Sequence, residues 1–272
     1  MSNRLAGQAG PIRLAGLVVL AGLIGLTAPL TGLSTVVRAA DDARQIVAEA
    51  QSRTDSKSER YNGLLQAFAA NGKVTEKRWI FERLGAHGQS KSVIRFTAPA
   101  EVKGVALLVV NHSDRASDQW MWTPALERDR RIALQDRSTR FFGTDFSFED
   151  LEERDVDQYD YALMGEETLD GTPCWKIQSI PKQSKSSQYT KAVAWIRKDN
   201  YAFARIDSYL KDQVVRQLNY TDIRNIQGVW TAREMTMTDL RRGSKTRLVL
   251  DKVEYNVPMK DEDFTLQAIR LQ

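Results

Sequence analysis

Strand-like runs separated by turn signals occupy most of this chain from Tyr61 onward, and they limit its fold more than any other feature. The runs recur at intervals of roughly ten residues, with short connections between them. Asn71-Gly72 and Asp170-Gly171 each separate two runs, and both dipeptides are typical of tight β-hairpin turns. Because parallel strands need a long crossover connection, usually a helix, the short connections predict an antiparallel meander.

The predicted sheet is large, with about ten or eleven strands, and a sheet of that size must curl or close to protect its edges. A curled sheet has a concave apolar face, which a helix, a partner or a ligand must cover. Helical patterns occur only in residues 41–53 and around Phe146 to Leu151. The single cysteine, Cys174, cannot form an internal disulfide, so the core must stabilise the fold.

The start of the chain has the pattern of an export signal. Two arginines precede an uncharged run over residues 14–33, and Val37 and Ala39 suit the −3 and −1 positions of a cleavage site. We predict cleavage after Ala39, which divides the chain into a signal peptide (1–39) and a single domain (40–272). The alternative is an uncleaved N-terminal anchor in the inner membrane, since the run approaches the roughly 20 residues that span a bilayer.

The predicted mature domain is almost neutral. The whole chain has 39 Lys and Arg and 35 Asp and Glu residues, and three of the arginines precede Ala40. This leaves 36 cationic against 35 acidic residues, because no acid lies in the signal. Nucleic-acid binding needs a surplus of Lys and Arg on one face, so we expect no nucleic acid among the partners.

The sequence contains no pattern of a catalytic or metal site. His87 and His112 have no ligand-type residue at metal-binding spacing, and zinc-protease, nucleophile-elbow and phosphate-loop motifs are absent. Cys174 lies in a predicted strand, where a buried apolar role is expected. We therefore predict a protein that is not an enzyme and uses no metal or cofactor.

Residues 124–157 have an unusual distribution of charge, with arginines first, acids last and four phenylalanines between them. Arg128, Arg130, Arg131, Arg137 and Arg140 come first, and Asp145, Glu149, Asp150, Glu152, Glu153, Asp155 and Asp157 come later. One interpretation is a long connection whose opposite charges pair while Phe141, Phe142, Phe146 and Phe148 fill the core. Another is a lid at the mouth of a cavity.

Under the lid interpretation, this segment supplies the candidate ligand-binding residues. They are Arg130, Arg131, Phe142, Asp145, Phe146 and Phe148. A third interpretation is a hydrolase that uses carboxylates of residues 145–157 for acid–base chemistry, which requires two carboxyls in one cleft with at least one raised pKa.

Several motifs of the chain resemble one bacterial family. They include Trp120-Met121-Trp122-Thr123-Pro124, Arg130-Arg131-Ile132 and the block FGTDFSFEDL over residues 142–151, followed by Asp170-Gly171 before Cys174-Trp175. With these motifs the chain resembles the outer membrane lipoprotein-sorting proteins, a branch of the LolA/LolB-like superfamily. The similarity covers nearly all of the predicted mature chain.

The resemblance implies an incomplete β barrel, with a few helices over its open concave face and an apolar cavity for acyl chains. It further implies a periplasmic, non-enzymatic carrier of lipoproteins or lipids in outer-membrane trafficking, with an inner-membrane exporter of the RND type as a partner. The alternative is a periplasmic adaptor of a transporter that carries no lipid. The oligomeric state, the head group of the cargo and the aromatic residues that line the cavity stay open.

Overall fold

Consecutive antiparallel strands form the body of the molecule. The computed structural model describes residues 32–86 and 88–271, with side chains from residue 42 onward, so most of the predicted signal peptide and His87 lie outside the described residues. The strands are β1 (Ser58–Phe68), β2 (Val74–Leu84), β3 (Lys91–Ala98), β4 (Ala106–Val110), β5 (Asp118–Thr123), β6 (Arg128–Arg131), β7 (Tyr159–Leu169), β8 (Thr172–Pro181), β9 (Lys191–Arg197), β10 (Phe203–Leu210), β11 (Gln213–Ile226), β12 (Val229–Asp239) and β13 (Ser244–Tyr255). Two α-helices accompany them, α1 (Gly32–Ser52) and α2 (Leu266–Leu271).

All thirteen strands belong to one sheet that does not close. Each strand pairs with its neighbour in sequence, except that β1 pairs with β13 and no pairing joins β6 to β7. The predicted curled, open antiparallel sheet is thus confirmed. The sheet has thirteen strands where about ten or eleven were predicted, and β6 was missed because its residues Arg-Asp-Arg-Arg lack the alternation of apolar and polar side chains that identifies a strand.

The predicted hairpin turns form as expected. Asp170 and Gly171 lie between β7 and β8 with φ angles of 48° and 78°, the left-handed conformations of a two-residue type I′ turn. At the other predicted turn, the Gly72 N–H donates to the carbonyl of Ala69 at 2.9 Å.

The pairing of the first and last strands requires a very close backbone approach. A Cβ atom on Gly63 would lie 2.1 Å from the carbonyl oxygen of Val249, and the β1–β13 register shifts between Asn62 and Gly63. A bulge of this kind bends a strand and increases its twist. Glycine at position 63 therefore allows the sheet to curl at the junction of its two ends.

The two edge strands, β6 and β7, are consecutive in sequence, so the chain between them must cross the open side of the sheet. We call residues 132–158 the crossing segment. Its Phe141 ring stacks on Phe96 of β3 with 5.5 Å between centroids, and Phe148 packs edge-on against Phe141. The core that they complete also contains Leu65, Trp79, Leu107, Val109, Ile132 and Leu250. The crossing segment thus fills the part of the concave face formed by β1–β5 and β13.

The helix α1 covers the other part of the concave face. Its buried residues Ala43, Val47 and Ala50 follow helical spacing and pack against Ile177 of β8 and Ile196 of β9. The helix begins nine residues before the predicted start at residue 41, and it includes the predicted cleavage position. The short α2, which the sequence pattern did not predict, packs its Ile269 on the opposite face of the sheet beside Leu108.

Candidate functional site

A cavity of about 240 Å³ lies on the concave face, between α1, the end of the crossing segment and strands β7–β12. Its lining residues are Val47, Gln51, Thr54, Glu149, Asp150, Glu152, Glu153, Arg154, Tyr159, Tyr161, Ile177, Ser179, Lys185, Tyr189, Ala194, Phe203, Ile206, Ser208, Leu218, Tyr220 and Met237. We call this space the main cavity. Where the crossing segment fills its half of the concave face with phenylalanines, the half beneath α1 remains open.

A second cavity of about 160 Å³ adjoins the main one. The two share Thr54, Phe203 and Tyr220, and the second continues towards Trp230 of β12 and Leu250 of β13. Most of its other lining side chains are apolar or aromatic. The two cavities are therefore neighbours on the concave face, and the second is the more apolar.

Regular secondary structure explains why these side chains meet in one place. Alternate residues of a strand point to the same face, so Tyr159 and Tyr161 of β7 share the concave face, as do Leu218 and Tyr220 of β11. Val47 and Gln51 are four residues apart on α1 and therefore lie on one side of the helix.

Polar contacts join α1 to the crossing segment at the edge of the main cavity. The Arg44 guanidinium pairs with Asp157, and the Gln51 side-chain amide donates to the backbone carbonyl of Arg154. Both side chains of the Arg44 pair are largely exposed, so this contact is worth little to stability. The helix is therefore held over the cavity mainly by its apolar face.

Buried ion pairs fix the acidic end of the crossing segment. Arg216 of β11 donates to Asp150 at 2.6 Å, and both side chains are more than nine-tenths buried. Glu152 accepts from Arg137 and lies 3.3 Å from the Lys185 ammonium. These carboxylates line the main cavity, but cations of the protein already satisfy them.

Glu149 is satisfied by neutral donors. Its carboxylate accepts the backbone N–H of Gln188 at 2.8 Å and the hydroxyl of Ser187. The hydrolase interpretation requires carboxyls that are available to a substrate. In the structure, Glu149, Asp150 and Glu152 instead serve as anchors of the crossing segment.

Burial further disfavours ionisation of three tyrosines of the main cavity. It raises the pKa of Tyr220 to about 12, and it raises the pKa values of Tyr161 and Tyr189 above the ordinary tyrosine value as well. All three hydroxyls are therefore protonated at neutral pH and can donate hydrogen bonds.

Arg154 differs from the other charged residues of the main cavity in the contacts of its side chain. Its guanidinium carbon lies 5.7 Å from the centre of the Tyr159 ring. Across the described chain, the Arg154 side chain has no ion-pair or hydrogen-bond partner. Sequence analysis missed this residue, although it is the one arginine within the acidic run of residues 149–157.

The six predicted ligand-binding residues lie outside the lining of the main cavity. Arg130 and Arg131 are exposed on the edge strand β6, where Arg131 pairs with Asp118 at 2.5 Å. Phe142 packs against Phe96 and Phe141 at one end of the core, and Phe146 and Phe148 are buried.

Asp145, the remaining predicted residue, is fully buried. It accepts hydrogen bonds from Arg140 at 3.0 Å and from the hydroxyls of Ser244 and Thr246. Arg140 and Asp145 thus pair within the segment while the phenylalanines fill the core, as the structural interpretation expects. A ligand-binding role for the six residues stays a prediction.

The other reactive side chains have structural surroundings. His112 lies 3.0 Å from Asp118 and contacts Arg115, in a loop outside the main cavity. Cys174 is buried on the convex face beside Val193 and Trp195, and burial raises the pKa of its thiol. Within residues 32–86 and 88–271, no group of His, Cys, Asp and Glu is arranged to hold a metal ion.

None of the helices that the structure describes is both long and apolar enough to span a membrane.

Several known proteins have a fold similar to that of this chain. The chain is 29% identical to a DUF1329 family protein from Desulfovibrio piger, with a TM-score of 0.81, over 85% of this chain and 99% of that one. It is 25% identical to a structure from Vibrio parahaemolyticus named as an outer membrane lipoprotein-sorting protein domain, again with a TM-score of 0.81 and coverage of 85% and 99%.

A LolA superfamily protein from Nitrosomonas europaea shares the fold at 19% identity, with a TM-score of 0.67 over 83% of this chain and 98% of that one. No curated protein matched the sequence. A family model described as an uncharacterized protein matches residues 88–270, which is more than half of the chain. These matches confirm the resemblance seen in the sequence: the chain belongs to the family whose model is described as an uncharacterized protein, and its fold is similar to those of the three solved structures.

Proposed function

We propose that the protein is a periplasmic, non-enzymatic carrier that binds the acyl chains of lipoproteins or lipids in the main cavity. The observation that carries this proposal is the main cavity between α1 and the sheet, with a second, more apolar cavity beside it. An exposed acyl chain costs about 0.8 kcal/mol per CH₂ in water, so a carrier must offer it an apolar enclosure.

Similarity to known structures supports the proposal. The relative from Vibrio parahaemolyticus is named for outer membrane lipoprotein sorting. The predicted signal peptide (1–39) would deliver the mature domain (40–272) to the periplasm, where such sorting takes place. An inner-membrane exporter of the RND type is the partner that we propose for loading.

The covering helix suits a carrier that must release its cargo. α1 is one element, held mainly by Ala43, Val47 and Ala50, with an exposed ion pair at its side. Displacing this helix opens the cavity and breaks the contacts of Arg44 and Gln51 with the crossing segment, but it leaves the buried anchors of that segment in place. Elements that move during binding come from the less stable parts of a fold.

Filling the cavity tests this function. Ala194 of β9 lines the main cavity, and Ala194→Phe places a ring in the space that the acyl chain would occupy. We expect this variant to bind a fluorescent fatty acid at least about tenfold more weakly than wild type in an equilibrium titration.

The matched control is Ala162→Phe, the same change at an exposed position of β7 outside the main cavity. It should bind the probe as wild type does. If wild type does not bind the probe, or if Ala194→Phe binds it equally well, the carrier proposal fails and an adaptor that carries no lipid becomes the better account.

A further inference from the structure

Among the described residues, the main cavity contains a group of polar side chains whose hydrogen bonds the protein leaves unmade. The carboxylates at its wall have cations or N–H donors, as described above for Glu149, Asp150 and Glu152. The Lys185 ammonium has Glu152. Arg154 has no such partner, although a guanidinium carries five N–H donors.

Tyrosines surround this arginine and add hydroxyl donors. Tyr159 lies beneath the guanidinium, and Tyr161 and Tyr220 line the same cavity. In the part of the chain that the structure describes, the hydroxyls of these three tyrosines form no hydrogen bond. Tyr189 differs, because its hydroxyl donates to Asp150 and accepts from Arg216.

The unpaired groups therefore share one chemical character. A guanidinium can only donate, and protonated tyrosine hydroxyls can donate to a strong acceptor. Among the described residues, no carboxylate lies within ion-pairing distance of this partly buried cation, although the nearby Asp150 favours its charge, and a bound anionic group would stabilise it more directly. Planar guanidinium groups suit carboxylate and phosphate oxygens in particular.

The rest of the cavity indicates what is attached to that anion. Tyr220 and Phe203 also line the adjoining second cavity, whose wall includes the apolar side chains of Met235 and Leu250. A free inorganic anion would use none of this space. An anionic head with an acyl tail would use both cavities.

We propose that Arg154, with Tyr159, Tyr161 and Tyr220, binds the anionic group, a phosphate or carboxylate, of an amphiphile whose acyl chain extends into the second cavity. This inference rests on the proposed carrier function and names the chemical class of its cargo. It makes Arg154 the residue that distinguishes an anionic lipid from a neutral one.

The test compares lipids that differ only in the head. The full mature chain is incubated with vesicles containing equal amounts of dioleoyl phosphatidylglycerol and dioleoylglycerol, re-isolated, and analysed by lipid extraction and mass spectrometry. Wild type should retain the anionic lipid in preference to the neutral one. Arg154→Gln should lower that preference by about 10- to 100-fold, the range expected for hydrogen bonds to a charged group.

Two further variants separate recognition from structure. Arg154→Lys keeps the positive charge and should retain part of the preference. Arg44→Gln removes an arginine that pairs with the crossing segment at Asp157 but lies outside the cavity lining, and it should leave the preference unchanged. Because the Arg154 guanidinium has no ion-pair or hydrogen-bond partner among the described residues and contacts only the face of the Tyr159 ring, Arg154→Gln should melt close to the wild-type temperature, whereas an arginine that anchors the fold would lower it.

The possible outcomes test the anion site and the carrier function separately. Equal retention of both lipids by wild type and Arg154→Gln would overturn the anion site and leave the carrier intact. Retention of neither lipid would overturn both. A separate titration with inorganic phosphate identifies the source of the anion: Arg154-dependent binding of phosphate without any lipid retention would contradict the amphiphile.

Discussion

At the scale of single residues, most charged side chains of this protein serve the fold, and Asp118 at the start of β5 is a clear example. Its carboxylate accepts hydrogen bonds from Arg115 at 2.7 Å and Arg131 at 2.5 Å, and it lies 3.0 Å from His112. The Arg115 guanidinium, with further contributions from Arg131 and His112, holds the pKa of this carboxyl well below its usual range. The cluster fastens the loop after β4 to the edge strand β6.

This shift predicts a pH-dependent stability. The folded-state pKa of Asp118 lies below its unfolded value of about 4, so its contribution is complete above that pH and is lost as the pH falls through the folded-state pKa. Asp118→Asn should lower the free energy of unfolding by about 1–2 kcal/mol at neutral pH, since its cationic partners are exposed. Urea denaturation from about pH 7 down to about pH 3 should show the difference shrinking below about pH 4.

The comparison variant is Asp251→Asn, which removes the charge from an exposed pair with Arg78. Its effect should stay below about 1 kcal/mol. A difference between Asp118→Asn and wild type that stays constant over the whole pH range would contradict the proposed role of the ionised carboxylate.

The sequence showed that the composition of the crossing segment is unusual, but it did not show which of its residues face a cavity. The excess of phenylalanine and of opposite charges marked residues 124–157 correctly as unusual. Which residues face a cavity depends on contacts between distant parts of the chain. Tyr220, for example, meets Arg154 only because β11 and the crossing segment approach the same space. No local spacing encodes that approach.

At the scale of elements, the crossing segment fills part of the concave face, and ion pairs hold it in place. Its phenylalanines occupy one half of the concave face, and its acidic end is fixed by Arg216 of β11 and by Arg137 and Lys185. A buried ion pair contributes little net stability, because burying both charges is costly. Removing one partner is destabilising, since it leaves the other charge buried without a counter-charge.

Arg216→Gln should therefore be severely destabilising. The change leaves the Asp150 carboxylate buried without its cation, with an expected loss of about 3–5 kcal/mol in the free energy of unfolding. Arg224→Gln is the matched control, because Arg224 lies on the same strand in an exposed pair with Asp222, and it should cost less than about 1 kcal/mol.

Chemical denaturation measures both variants, and Asp150→Asn added to Arg216→Gln should recover part of the loss. Equal effects of Arg216→Gln and Arg224→Gln would show that the crossing segment is not held by this pair.

The elements themselves were largely predictable from the sequence. Hairpin dipeptides and alternating runs predicted the meander, because each strand pair but one is a neighbour in sequence. The pairing of β1 with β13 was not predictable, since it joins opposite ends of the chain and its register depends on the close approach at Gly63. The strand β6 and the helix α2 escaped prediction because one is entirely charged and the other very short.

At the scale of the whole molecule, one topological fact organises the site. The open edges β6 and β7 are consecutive strands, so the crossing segment must span the concave face, and α1 covers what remains. The sheet is thereby divided into a filled half and a hollow half. The hollow half contains the main cavity, on which the proposed carrier function depends, and the Arg154 guanidinium, on which the proposed head-group site depends.

Native mass spectrometry of the mature chain, after incubation with phospholipid vesicles and removal of the vesicles, tests this account most directly. The account predicts a complex of one chain with one lipid for wild type and for Ala162→Phe, and a bare chain for Ala194→Phe, whose added ring fills the main cavity. A bare wild-type chain, or a lipid complex that persists in Ala194→Phe, would contradict the claim that the hollow half of the sheet carries cargo.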